Sequence, residues 1–304
     1  MYSPPSRAAW PDAAMFAGLY RVGLPGESRS AREAPPRRPD CWQTDGVEPV
    51  EGVSAAGRGD RVGERGSYGI DGGFAGLAVF AVIEAGLAGA VAWAARHRRP
   101  AVAALAGAGG AVVAGSAASY LYSTGPGKRA IWAQLLDELG LRGDEHVLDV
   151  GCGRGAVLML AARRVPAGRA VGADVWRRRD QSGNSRAAAE RNAAAEGVAD
   201  RVELVDADAR DLPFAPASFD LVVSSLAISN IRDAGERAQA LREAVRVLRP
   251  GGRLRIVDDG ADRYAAVLRD AGCTGVTVRH LDWRTWYGLP GHHLPLVAAA
   301  RPPG

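Results

Sequence analysis

The residues best suited to chemistry form one glycine-rich turn. Val147–Gly155 reads Val-Leu-Asp-Val-Gly-Cys-Gly-Arg-Gly, an apolar run that contains an acid, Asp149, and breaks into three alternating glycines. These glycines are Gly151, Gly153 and Gly155. Glycine lets a backbone turn sharply and approach a ligand closely, because it has no Cβ. The following residues, Ala156–Val165, are typical of a helix, whose first turn offers unpaired N–H groups and the positive end of a dipole. The pattern predicts a strand, a turn and a helix that bind a nucleotide-like ligand.

Two classes of ligand fit such a turn. Gly151, Gly153 and Ala156 satisfy the dinucleotide pattern G-x-G-x-x-G/A, and Asp174 follows at a suitable distance, so an NAD(P)-dependent oxidoreductase is one interpretation. Asp149 favours another ligand, because a pyrophosphate gains nothing from a negative charge two residues before the first glycine. A glycine-rich turn without any ligand is the third possibility.

The elements around the turn alternate between strands and helices. Strand candidates are Val147–Val150, Ala170–Asp174, Val202–Val205, Leu221–Ser224, Arg253–Val257, Gly275–Val278 and Leu296–Ala300. Helix candidates are Lys128–Leu139, Ala156–Val165, Ser185–Glu196, Glu236–Leu248 and Asp262–Ala271. Such alternation predicts an α/β fold with a parallel sheet and helices on both faces. The last two strands lack a helix between them, which predicts an antiparallel hairpin at the sheet edge.

Several segments together resemble one enzyme family. The Asp-x-Gly-x-Gly-x-Gly turn resembles the S-adenosylmethionine (SAM) loop of class I methyltransferases, and Asp211–Phe214 (Asp-Leu-Pro-Phe) and Val247–Leu254 (with Arg-Pro-Gly-Gly) resemble two further segments of that family. The resemblance covers residues 125–301 and is closest to small-molecule methyltransferases of the ubiquinone/menaquinone type. Asp180–Asn184 (Asp-Gln-Ser-Gly-Asn) is similar to a loop of a bacterial group with an N-terminal apolar segment. The family implies a Rossmann-like, seven-stranded, mostly parallel sheet with a terminal antiparallel hairpin.

The resemblance also implies a set of cofactor-binding residues. Asp149 would support the loop and the cationic methionine end of SAM, and Asp174 would accept the ribose hydroxyls. Asp208 would take the adenine amino group, with Asp206 as the alternative. The full implied set is Asp149, Gly151, Cys152, Gly153, Gly155, Asp174, Val175, Asp208, Ala209 and Ser224.

Catalysis needs few protein groups in this family. The cofactor supplies the reactive carbon and the protein orients it, so a base matters only when the acceptor must lose a proton. The candidate bases are His280 and His293. The bacterial group often has His where this chain has Ser229, which leaves an inactive SAM-binding module as an alternative. The aromatic cluster Trp283–Tyr287 either covers a planar or lipid-like acceptor or packs the last hairpin.

Composition narrows the possible partners. The net charge is only +4, and no aromatic-and-basic RNA-binding signature is found, so no nucleic-acid partner is predicted. The three cysteines, Cys41, Cys152 and Cys273, are far apart, which predicts neither a disulfide framework nor a metal site. Lys128 is the only lysine among the 38 basic residues, and such a preference for arginine is typical of a GC-rich bacterial genome. A small or lipid-like methyl acceptor is the expected partner, and the sequence gives no oligomeric state.

The N-terminal part is divided by composition. Residues 1–66 are rich in Pro, Gly, Ser and Arg, and are either disordered or an over-long reading of the start of the gene. Residues 67–122 contain the apolar stretches Phe74–Ala95 and Ala101–Tyr122, each long enough to cross a bilayer as a helix. Residues 123–304 form the expected methyltransferase domain.

The topology of the apolar stretches is ambiguous. Glu84 at mid-span would cost about 2.5–3.5 kcal/mol on an insertion scale. The basic link Arg96–Pro100 is expected in the cytoplasm, which would place a domain beyond a spanning hairpin outside, where SAM is absent. A cytoplasmic domain anchored by residues 74–122 as a single span, or by two helices lying against the membrane, avoids this conflict. The remaining alternative is a pair of buried Ala-rich helices.

Overall fold

The computed structural model describes residues 66–288 and 292–304, and the prediction for the N-terminal extension lies almost wholly outside them. The α-helices are α1 (Ala75–Arg96), α2 (Pro100–Tyr122), α3 (Lys128–Asp137), α4 (Ala156–Arg164), α5 (Arg186–Ala195), α6 (Ala234–Val247) and α7 (Ala261–Asp270). The strands are β1 (His146–Val150), β2 (Arg169–Asp174), β3 (Val202–Asp206), β4 (Phe219–Ser225), β5 (Leu248–Val257), β6 (Thr274–His280) and β7 (Pro295–Ala300). A π-helical turn, Ser123–Gly127, joins α2 to α3.

The seven strands form one sheet in the order β3-β2-β1-β4-β5-β7-β6. The first five strands are parallel, while β7 runs antiparallel between β5 and β6. The predicted Rossmann-like sheet with a terminal antiparallel hairpin is therefore confirmed. The strand order reverses between β1 and β4, and ligands of open α/β sheets bind outside the carboxyl ends of the strands at this switch point.

Both faces of the sheet are covered, which explains the apolar character of the central strands. Val147 of β1 packs with Trp132 and Leu136 of α3, whereas Leu148 faces the opposite cluster with Phe219 and Leu241. Successive side chains of one strand thus pack into two different cores, since they point to opposite faces of the sheet. The buried cores fix the carboxyl ends of β1, β2 and β4 side by side.

Helix ends follow the polar residues of the sequence. Ser185 caps α5 by accepting a hydrogen bond from the Ala188 N–H (3.2 Å), and Asp233 caps α6 in the same way from Glu236 (2.9 Å). Such caps satisfy backbone donors that a helix leaves unpaired.

The Arg-Pro-Gly-Gly segment belongs to strand β5, which is longer than predicted. Strand β5 begins directly at Leu248, five residues before the predicted Arg253. Leu248 pairs with Phe219 across an irregular register, and the Gly251 N–H bonds to the Arg301 carbonyl (3.0 Å). These pairings extend the strand through the segment.

The helices α1 and α2 pack against each other as a hairpin and leave most of their surface uncovered. Their buried residues are Gly76, Ala94, Ala106 and Tyr120. The buried-helix alternative therefore does not describe this hairpin. Within the described residues, two helices are long and apolar enough to cross a membrane, α1 and the continuous stretch Pro100–Asp137.

Candidate functional site

The glycine turn leaves β1 and enters α4 through left-handed backbone. Gly151, Gly153 and Gly155 have φ values of 73°, 54° and 85°. A Cβ on Gly151 would collide with the Cβ of Ala227, which lies beyond the end of β4. The Gly151 N–H bonds to the Ala173 carbonyl of β2 (2.8 Å). The predicted strand–turn–helix is present, and its backbone is open to close approach by a ligand.

Asp174 at the end of β2 holds the turn. Its Oδ2 accepts a hydrogen bond from the Gly153 N–H (2.8 Å), and its Oδ1 accepts one from the Trp176 N–H (2.5 Å). The Asn184 side-chain amide adds a longer contact to Oδ1 (3.4 Å). A carboxylate has about four acceptor positions, so one remains, and the long Asn184 contact is the easiest to replace.

Asp149 lies in β1, and both oxygens of its carboxylate are buried without a hydrogen-bond partner. Its side chain is 1% exposed. Burial, together with the nearby charge of Asp174, raises the Asp149 pKa to about 7. Burial deprives this acid of water, and the nearby positive charge of Lys128 offsets only part of that cost. A cation placed beside the turn would stabilise it, which fits the ammonium group of a bound SAM.

The adenine end of the predicted site lies on the loops after β2 and β3. Val175 is 42% exposed although it is apolar, which is suitable for the face of a planar ring. Both carboxylate oxygens of Asp208 accept hydrogen bonds from Arg210, Oδ1 from Nε (2.9 Å) and Oδ2 from Nη2 (2.5 Å). This guanidinium lowers the Asp208 pKa. Asp206, the alternative, accepts from the indole N–H of Trp176 (2.7 Å). Ala209 stands between Asp208 and Arg210, and the roles of all these residues stay predictions.

Two other predicted residues have structural partners. Cys152 is buried, and burial raises its thiol pKa well above the usual value, which suits a small turn residue and not a nucleophile. Ser224 is buried too, and its hydroxyl donates to the Val150 carbonyl (2.9 Å), which ties β4 to β1. Their contact with a cofactor stays a prediction.

The loops after β4 and β5 lie at the same edge of the sheet as the glycine turn, because β1, β4 and β5 are parallel. Asp258 is fully buried, and its Oδ2 accepts from the Ser229 N–H (3.0 Å). Burial raises the Asp258 pKa to about 6. Its neighbour Asp259 binds His292 through Oδ1 and Nε2 (3.1 Å), and this hydrogen bond raises the His292 pKa. The acid–imidazole pair was not among the predicted bases, although its position after a parallel strand could have indicated it.

The two predicted bases lie together at the hairpin. His280 Nδ1 is 3.1 Å from the carbonyl of His293. His293 Nε2 accepts from the indole N–H of Trp286 (3.2 Å). Trp283 is exposed and stacks on Tyr122 of the apolar hairpin, whereas Tyr287 is largely covered. Trp283 therefore packs on the α1–α2 hairpin, and a role of the cluster Trp283–Tyr287 in covering an acceptor stays a prediction.

Sequence patterns missed a polar cluster beside the turn. Asp71, Lys128, Gln181 and Asn192 are brought together from distant parts of the chain. Local sequence spacing cannot predict contacts between residues that are 110 positions apart, as Asp71 and Gln181 are. Within the described residues, no group of His, Cys, Asp and Glu is arranged to hold a metal ion.

Comparison with known proteins identifies the central region. Residues 147–252 match the family model of a methyltransferase domain. Methyltransferase GfsG of Streptomyces halstedii is 38% identical over 153 residues, covering 49% of this chain and 51% of that protein. The ubiquinone/menaquinone biosynthesis C-methyltransferase UbiE of Hahella chejuensis is 36% identical over 134 residues, covering 43% and 50%. The 27-O-demethylrifamycin SV methyltransferase of Amycolatopsis mediterranei is 34% identical over 158 residues, covering 49% and 54%. The chain thus spans about half the length of these curated relatives.

Proposed function

We propose that this chain, whose matched region is a class I SAM-dependent methyltransferase domain, transfers a methyl group from SAM to a small or lipid-like acceptor at a membrane surface. The observation that carries the proposal is the buried, unpartnered carboxylate of Asp149 beneath the glycine turn. A dinucleotide pyrophosphate would place negative charge near this acid, whereas SAM would bring a cation. The geometry therefore favours SAM over NAD(P).

The residues of the turn have separable tasks in this proposal. Bound SAM supplies a methyl group on a cationic sulfur. Asp149 attracts the ammonium of the methionine end, and Asp174 orients the ribose while it holds Gly153. Asp208 and the Ala209 N–H receive the adenine edge. Holding the methyl carbon in line with an acceptor atom lowers the barrier chiefly by orientation.

The nature of the acceptor is supported by relatives and by the chemistry of the nearby loops. The relatives are named for ubiquinone/menaquinone biosynthesis and for 27-O-demethylrifamycin SV. In this chain, the loop between β6 and β7 contains Trp283, Trp286 and Tyr287 and leaves the sheet at the edge where β5 ends. The hydrogen bond between His292 and Asp259 makes His292 a further candidate, besides His280 and His293, for a base that takes a proton from an acceptor hydroxyl.

Membrane association is proposed from the uncovered apolar hairpin. Val82, Leu105 and Val112 are 73%, 76% and 68% exposed. Glu84 faces α2: one of its oxygens lies 3.3 Å from the position of a Cβ on Gly110, and the other is buried. An intramembrane carboxylate that faces a partner helix avoids direct contact with lipid. If the two helices lie against the membrane, one of the arrangements that suits the basic link Arg96–Pro100, the domain stays in the cytoplasm, where SAM is made.

The cofactor is tested by titration calorimetry of the full chain in detergent micelles. We expect S-adenosylhomocysteine (SAH), the product of methyl transfer, to bind and NADH to give no heat of binding. Binding of NADH without binding of SAH would overturn the proposal and restore the oxidoreductase alternative.

The reaction is tested with methyl-labelled SAM. Membrane lipids, quinones and small phenols would be offered separately, and label should appear in at least one of these classes. A chain that binds SAH but labels none of them would be the inactive SAM-binding module that the Ser229 position left open.

A further inference from the structure

A short segment ahead of α1 lies against the loop that follows β2. We call residues 66–73 the strap. Asp71 and Gln181 form an isolated antiparallel bridge, with the Gly72 N–H on the Asp180 carbonyl (2.8 Å) and the Ser182 N–H on the Ile70 carbonyl (2.9 Å). The Ile70 N–H also donates to the Ser182 hydroxyl (2.8 Å). The strap is thus paired with the Asp-Gln-Ser-Gly-Asn loop as a strand would be.

The strap is anchored at its start by Tyr68. The Tyr68 hydroxyl donates to Glu196 Oε1 (2.6 Å), and the ring lies under the guanidinium of Arg129 (4.5 Å). Glu196 also pairs with Arg129 (3.1 Å) and with Arg163. Because Tyr68 is itself buried in a core cluster with Met159 of α4, this end of the strap belongs to the domain.

The far end of the strap is fixed by Asp71. Its side chain is 13% exposed, and its Oδ2 contacts Lys128 Nζ (2.5 Å) and accepts from the Tyr287 hydroxyl (3.0 Å). Its Oδ1 accepts from Gln181 Nε2 (3.2 Å). The carboxylate therefore joins the strap, α3, the aromatic cluster and the loop after β2.

The side chains of Gln181 and Asn192 bind the strap and also bind the glycine turn. Gln181 Oε1 accepts from the Arg154 N–H (2.8 Å). Asn192 exchanges two hydrogen bonds with the Ser67 backbone (2.9 Å each) and donates to the Arg154 carbonyl (2.8 Å). The Arg154 backbone is consequently bound on both sides by amides that the strap orients.

The glycines leave little room for these amides to shift. A Cβ on Gly153 would lie 2.5 Å from Gln181 Oε1, so the amide packs directly on the turn. The Arg154 guanidinium adds contacts to the Ser67 hydroxyl and the Ser182 carbonyl (both 3.1 Å). A turn held from outside in this way keeps its N–H groups aimed without reorganisation when a ligand arrives.

We infer that Asp71 is a positioning residue for SAM, acting through Gln181 on the glycine turn, and that the strap is part of the cofactor site. This inference rests on the proposed function. It extends the site to a segment far upstream of the matched methyltransferase region, which begins at residue 147. The strap continues directly into α1, so the same residues link the apolar hairpin to the cofactor turn.

The test is a double-mutant cycle on the full chain, with the Kd for SAH measured by calorimetry. Asp71→Ala should weaken SAH binding about tenfold, and Gln181→Met should do the same. In the Gln181→Met background, Asp71→Ala should change the Kd less than twofold, because the link is already broken. Asp144→Ala, which removes an exposed partner of Arg142, is the control and should leave the Kd unchanged.

Asp71→Asn separates positioning from stability. The Asn oxygen can still accept from Gln181, so SAH affinity should return to within about threefold of the natural chain. The Lys128 charge is left unpaired, so the melting temperature should still fall. This variant also serves if Asp71→Ala does not fold.

Three results would overturn the inference. They are an unchanged Kd in Asp71→Ala, equal losses in both backgrounds, and affinity losses that follow the melting temperature across Ala and Asn. Failure of the unaltered chain to bind SAH would instead overturn the proposed function, so the two failures are distinguishable.

Discussion

Two acids flank the glycine turn and differ in how the protein treats them. Asp174 is satisfied by backbone N–H groups, whereas Asp149 is buried with no partner for either oxygen. An unsatisfied buried acid lowers the free energy of unfolding, so its presence beside a binding turn indicates a ligand that compensates it. This difference supports the proposal that Asp149 faces the cation of SAM and that Asp174 accepts the neutral ribose hydroxyls.

The Asp149 pKa leads to a pH-dependent affinity. Its pKa of about 7 in the free protein must fall when a cation binds beside it, so binding releases a proton below pH 7. SAH affinity should therefore rise as the pH increases from 5.5 to 7 and level off above that. Calorimetry at several pH values measures this.

The control for the pH experiment is Asp149→Asn. It should bind SAH about tenfold more weakly at pH 8 and show a flat profile between pH 5.5 and 8. The same pH dependence in this variant would assign the titration to another group. In the free protein the sign is opposite: a carboxylate pKa raised from about 3.9 makes stability fall as pH rises from about 4 to 7.

Asp174 is tested against its neighbour across the sheet, Asp206. Asp174→Ala should abolish measurable SAH binding while the fold persists, because it removes the ribose acceptor and releases Gly153. Asp206→Ala loses exposed contacts with Trp176 and Arg186 and should change the Kd less than threefold if Asp208, and not Asp206, takes the adenine amino group. Unchanged affinity in Asp174→Ala would refute the ribose role.

Site residues that stand next to a predicted strand could be found from the sequence, whereas residues that meet only through long-range contacts could not. Asp149 and Asp174 stand at strand ends that the apolar pattern indicates, so they could be found. Asp71 could not, because it meets Gln181 across 110 positions through a bridge that no periodicity encodes. Asp258 directly follows β5, so a search for polar residues at strand ends would have found it, but it is not part of a family motif.

At the scale of elements, the strand and helix boundaries mostly lie within two residues of prediction, because central strands are continuously apolar and helices begin at caps or glycines. The exception is β5, whose first residues contain Pro250 and two glycines, which usually end a strand. Pairing with Phe219 and with the C-terminal residues at Arg301 extends the strand regardless of those propensities. Tertiary contacts decided where local signals disagreed.

The turn itself can be tested by adding a Cβ. Gly151→Ala should destabilise the chain by more than about 2 kcal/mol and weaken SAH binding, because the left-handed φ and the collision with Ala227 add together. Gly197→Ala has a similar φ, 68°, but open space around it, and should cost only about 1 kcal/mol with unchanged SAH affinity. Chemical denaturation and calorimetry measure both. Equal costs at the two sites would show that the close approach at Gly151 is unimportant.

At the scale of the whole molecule, the apolar hairpin contacts the strap and the loop between β6 and β7. Tyr120 of α2 donates to the Asp71 carbonyl (2.5 Å), and Phe80 of α1 packs near the same ring. Tyr122 stacks on Trp283 beside the acceptor loops. A lipid-like acceptor leaving the bilayer at the base of the hairpin would meet these aromatic residues first.

The hairpin predicts where the full chain partitions. Val82, Leu105 and Val112 changed together to Glu should move the chain from the lipid-bound to the free fraction in vesicle flotation, since a charge near mid-span costs about 3 kcal/mol. SAH binding in detergent should persist, because these side chains lie away from the strap. The control changes three exposed alanines of the domain to Glu, namely Ala194, Ala199 and Ala215. It adds the same charge and should leave flotation intact. If the hairpin variant still floats with the vesicles, the domain and not the hairpin binds the membrane, and the lipid-facing role of α1 and α2 is wrong.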